Sequence, residues 1–115
     1  MERCVLRWRT LLGRTTAERN LDLLAVALQP RGWRLVKLYR SQEFPVSVPL
    51  LWVYASGPAG VVGLVVSVLA TSGGMWAYHD AERGRCGYLF PCGDTKAAAE
   101  QVDSLLVHRM FSDAR

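Results

Sequence analysis

Between Phe44 and Tyr78 the chain carries no Asp, Glu, Lys or Arg. A run of that length must be buried in protein or in lipid, because apolar surface left in water costs free energy in proportion to its area. Two architectures meet the demand. Leu50 to Ala70 is long and apolar enough for one bilayer-spanning helix, which needs about 20 consecutive apolar residues. The local chemistry favours the other. Ser56-Gly57-Pro58-Ala59-Gly60 interrupts the run near its midpoint, Pro49 interrupts its start, and its body is rich in Val, Trp and Tyr, which suit pleated structure. The sequence therefore predicts two strands, Val46 to Ala55 and Val61 to Thr71, joined by a turn. The second, VVGLVVSVLAT, is apolar on both faces, as befits a central strand with helices on one side and a partner surface on the other.

The flanks of this run follow other periods. Over residues 2–12, Cys4, Val5, Trp8, Leu11 and Leu12 share one side of a helix, with Arg3, Arg7 and Arg14 opposite: a short basic amphipathic helix. Gly13 can end it, and Thr15 with Glu18 reads as a capping box for a second helix over 16–29, whose Leu21, Leu24, Ala25 and Leu28 form one face. Pro30 and Gly32 stop that helix. From Trp33 to Arg40 the period becomes two, with Trp33, Leu35 and Tyr39 alternating with Arg34, Val36, Leu38 and Arg40. After Ser72-Gly73-Gly74, Met75 to His79 reads as a fourth strand. A polar turn over 80–84 precedes a fifth strand from Arg85 to Phe90. Asp94 or Thr95 caps a last helix over 95–111, with Ala98, Val102, Leu105 and Leu106 on one side. The expectation is one α+β domain over 1–115, an antiparallel meander sheet of four to five strands (33–90) with N-terminal and C-terminal helices packed on one face.

Charge is placed unevenly. Residues 1–40 hold nine Lys or Arg against three acids, and residues 41–115 five against seven. A basic N-terminal third favours an acidic partner or surface. Three cysteines, Cys4, Cys86 and Cys92, make no disulfide framework without a secretory signal, so a cytoplasmic location is expected, although the Arg-rich N-terminus also resembles an organellar transit sequence.

Catalytic and metal constellations are weak. His79, Cys86, Cys92 and His108 lack the close-paired spacing of zinc ligands, and the cysteines read as small buried hydrophobes. His79 facing Cys86 across a hairpin would offer a base and a thiolate, but no third group orients them. Asp80, Glu82 and Asp94 are explained by turns and a cap, and Gly57, Gly60 and Gly63 lack the spacing of a phosphate cradle. No cofactor or metal is expected. Two surfaces remain as candidate binding sites: the basic face of Arg3, Arg7 and Arg14, and an aromatic sheet face of Trp52, Tyr54, Trp76 and Tyr78. A chain with few helices leaves one sheet face open, and a second copy is the commonest cover. The sequence thus predicts a small, non-enzymatic, regulatory or adaptor-like module that binds protein, as a homodimer or with another chain. Nucleic acid is disfavoured for want of a stacking or groove-reading motif. A membrane protein spanning at 50–70 and a small enzyme using Cys86 and His79 are the alternatives.

Overall fold

The computed structural model describes residues 13–39, 49–57 and 60–112. The expected basic helix over 2–12, with Arg3 and Arg7, lies outside the described residues, as do Arg40 and residues 46–48 of the expected strands.

Helix α1 (Arg14–Leu28) is followed by a 3-10 turn (Gln29–Arg31) and strand β1 (Arg34–Lys37). Strands β2 (Leu50–Gly57), β3 (Gly60–Thr71), β4 (Met75–Asp80) and β5 (Tyr88–Pro91) come next, and helix α2 (Thr95–Ser112) is the last element. The five strands form one antiparallel sheet in the order β1-β2-β3-β4-β5, so the chain meanders and β3 is central. The α+β meander with helices on one face is thus as the periodicities indicate. Residues 50–70 are two strands rather than one helix, because the turn residues at the midpoint fold the apolar run back on itself, with Gly57 opposite Gly60. Among the described residues no helix is long and apolar enough to cross a membrane.

Two local expectations are corrected. The helix start has no capping box: Gly13 is the N-cap without a side-chain hydrogen bond, and Glu18 instead pairs with Arg14 one turn earlier at 3.2 Å. The fifth strand begins at Tyr88, since 81–87 coils into 3-10 turns. Asp94 does cap α2, accepting from the Ala97 amide at 3.1 Å. Gly32 ends the first helical region at φ 88°, a left-handed conformation that costs glycine little.

The core lies between the sheet and the helices. Leu21, Leu24 and Leu28 of α1 and Ala98, Val102 and Leu106 of α2 meet Leu51 and Val53 of β2, Leu64, Val66 and Val68 of β3, and Tyr78 of β4. Tyr78 is wholly buried, yet its hydroxyl donates to the Asn20 carbonyl of α1 at 2.8 Å, so the sheet's centre is tied to the helix through a satisfied polar group. Burial pushes the Tyr78 phenol well above the ordinary tyrosine range.

Three acids fasten the layers together. Asp103 of α2 accepts from the Trp33 indole Nε1 at 2.7 Å and from the Arg31 guanidinium at 3.2 Å, joining residues 70 and 72 positions apart. Asp22 of α1 takes the Lys37 ammonium at 3.0 Å and the Tyr39 hydroxyl. Asp80, at the end of β4, accepts from the Glu82 amide at 3.1 Å and lies 3.9 Å from Arg109 of α2.

Asp103→Ala leaves the Trp33 indole N–H without its acceptor and is expected to cost about 1–3 kcal/mol of stability, read as a lower urea midpoint at unchanged slope. A midpoint equal to that of the wild type would show that the fork adds nothing to the fold.

Candidate functional site

Register decides which aromatics share a surface. Trp52 stands opposite Val65 on β3, whereas Trp76 stands opposite Ala70. Val65 and Ala70 are an odd number of residues apart, so their side chains, and those of their partners, project from opposite faces. The expected four-aromatic face is therefore split. Trp76 and Tyr78 lie on the helix-covered face and belong to the core, and only Trp52 and Tyr54 look outward. The matching W-x-Y patterns gave parity within each strand and nothing about parity between strands.

On the outward face the Trp52 and Tyr54 rings stack, with centroids 4.2 Å apart and planes inclined by 23°. Gly63 makes room for them. It sits opposite Tyr54, and a Cβ there would come within 2.9 Å of the Trp52 Nε1 and 3.1 Å of the Val53 carbonyl oxygen. The ring pair thus covers the backbone that glycine leaves bare. Half-buried Leu50, Val65 and Leu69 continue this face, and Val61 and Met75 at its ends are more than half exposed. No Asp, Glu, Lys or Arg of β2, β3 or β4 projects from this face; Arg34 of β1, opposite Tyr54, is the charge beside these residues.

The same face is closed toward β4. Ser67, Ala77 and His79 project from it but are buried. The segment 81–87 packs beside them, and its Arg85 reaches back along β3 to donate to the Ala70 carbonyl at 2.7 Å. Gly87 is required for this packing, since a Cβ there would lie 2.6 Å from the Asp80 carbonyl oxygen. His79 donates from Nδ1 to the Ala77 carbonyl at 3.0 Å, and the Tyr88 ring meets it edge-on at 5.5 Å. Burial, aided by the nearby Arg85 charge and opposed by the hydrogen bond to Ala77, holds the imidazole below its ordinary pKa.

The cysteine and histidine do not face each other as a hairpin would place them. The register sets His79 against Tyr88, and Cys86 is exposed on the 81–87 coil. Cys92 is half-buried, and burial pushes its thiol up to about 12. No cluster of His, Cys, Asp or Glu suited to a metal occurs among the described residues. Of the expected basic face only Arg14 is described, and its guanidinium is engaged with Glu18.

A second surface, not marked by any sequence motif, lies at the sheet's other border. Between the C-terminal half of α1 and β1 runs a groove of about 380 Å³, lined by Ala25, Val26, Gln29, Trp33, Leu35 and the two cations Arg34 and Lys37. No motif marks it because its walls come from a helix and a strand that only the tertiary fold sets side by side.

No family model matches the chain, and neither curated proteins nor solved structures yield a match.

Two outcomes follow from the buried groups. The unfolded chain binds a proton on His79 near pH 6.5 that the folded chain resists. Stability conferred by the neutral ring is therefore complete above pH 6.5 and falls as the pH drops below it. His79→Gln should flatten that decline in urea titrations between pH 7 and 5, and an equally steep decline would contradict it. In a Cys4→Ser background, iodoacetamide should label Cys86 in the folded protein and reach Cys92 only after unfolding, as read by peptide mass mapping.

Proposed function

We propose that this protein is a non-catalytic binding module that works through the sheet face carrying Trp52 and Tyr54, and that its first occupant is a second copy of the same chain. The observation that carries this reading is the Trp52–Tyr54 stack, with Trp52 37% exposed in the middle of an apolar stretch. Aromatic side chains of this kind supply large contact area at low entropy cost and dominate interface energetics. The absence of acids and bases from the β2 and β3 part of the face suits self-association. A two-fold interface sets each patch against itself, and like charges there would repel across the whole contact. The acids support the same reading, since Asp22, Asp80 and Asp103 are each engaged in holding the layers together. The expected cytoplasmic, regulatory role is the biological setting we assign to such a module.

Light scattering after size exclusion should give twice the chain mass of 12.8 kDa, and Trp52→Ser should give a monomer with an almost unchanged melting temperature. A wild-type protein that stays monomeric and co-purifies with no other chain would refute the proposal.

A further inference from the structure

We infer that the free edge of β1, together with the groove beside it, is a second binding site that takes an extended peptide alternating apolar and acidic residues. The backbone pattern is the first ground. The Leu38 amide donates to the Leu50 carbonyl at 3.0 Å, which makes 38 and 50 a hydrogen-bonded pair of the β1–β2 ladder. Antiparallel pairs alternate, so Arg34 and Val36 also point their backbone groups toward β2, whereas Leu35 and Lys37 point theirs away. No hydrogen bond reaches the outward N–H and C=O groups of Leu35 and Lys37 from any described residue. A row of such groups is a template for one more strand.

The two edges of the sheet are unlike. β5 is bulged at Leu89, opposite Tyr78 and His79 of β4, ends in Pro91, which has no N–H to offer, and is packed by α2. β1 carries none of these protections, and beside it the surface is shaped. On the helix side a strand added to β1 would drop alternate side chains into the groove, over Ala25 and the 66% exposed Val26. Lys37, the cation on this side, is already paired with Asp22, so those positions call for apolar residues. The intervening side chains would fall on the face shared by Arg34 and Tyr54, where Arg34, at the border of the groove, is exposed and has no ion pair among the described residues. These positions call for carboxylates, in keeping with the surplus of Lys and Arg over residues 1–40. The mode of recognition is thus strand addition, with main-chain hydrogen bonds for affinity and alternate side chains for selection.

Fluorescence anisotropy with a labelled seven-residue peptide alternating valine and glutamate tests this site separately from the aromatic face. Saturable binding is expected, with a valine–lysine peptide at least about tenfold weaker. Leu35→Pro deletes an outward N–H while sparing the inward ladder, and should weaken binding about tenfold or more. Arg34→Glu replaces an exposed side chain, so the fold is kept, and it should reverse the preference between the two peptides. Trp52→Ser should leave peptide binding unchanged. No saturable binding, equal affinity for both peptides, or an unaltered preference in Arg34→Glu would overturn the inference. If Leu35→Pro fails to fold, Arg34→Glu decides. Loss of a wild-type dimer in a folded Leu35→Pro would assign the edge to a second copy and overturn the peptide reading.

Discussion

Strand β3 has twelve residues, no charge, and a neighbour on each side, and every other element is arranged by the need to cover it. Its inward residues Leu64, Val66, Val68 and Ala70 are buried at 4% exposure or less. Burying a side chain of this class contributes about 1.5–3 kcal/mol, so this one strand face outweighs any single polar contact in the molecule. The helices come to this face because α1 and α2 each present a stripe of small and branched apolar residues and can cover the strand only side by side. The tyrosine at position 78 then fits where the two layers meet, because its hydroxyl finds the Asn20 carbonyl.

The polar contacts have a different part. An exposed ion pair contributes little, as with Arg14 and Glu18, but a carboxylate that also accepts from a partly buried donor fixes geometry. Asp103 does this for Trp33, and in doing so sets where the chain enters β1. Asp22 fixes where it leaves, through Lys37 and Tyr39. The groove between α1 and β1 is the space left by those two restraints. On the other side of the sheet, Asp80, Gly87 and Arg85 turn 81–87 back toward β3, which is why His79 is buried in a face that the strand pattern alone would leave open.

The fold was largely legible because the first strand has period two and each helix a stripe, and because the turn at 56–60 and the 72–74 glycines punctuate the apolar run unmistakably. What was not legible was set by register. Trp52 and Trp76 look equivalent in the sequence, and only their partners on β3 separate an outward ring from a core one. The polar turn over 80–84 predicts a strand starting at Arg85, whereas the structure uses Arg85 to bind a carbonyl and Gly87 to pass close to Asp80. The Glu18 carboxylate, three residues after Thr15, fits a capping box equally well as an ion pair with Arg14, and the pair is what forms. The edge groove carries no motif at all, since only the tertiary fold sets its helix and strand side by side.

Such separation bears on how the molecule is made. Synthesis runs from the N-terminus, so β2 and β3 leave the ribosome as an apolar hairpin well before α2 exists to cover it or Asp103 exists to hold Trp33. Through that interval α1 is the one described helix that can shield the inward face, with β1 paired along β2. Closure of the domain is thus timed by α2, which follows the sheet in the chain, rather than by completion of the sheet itself.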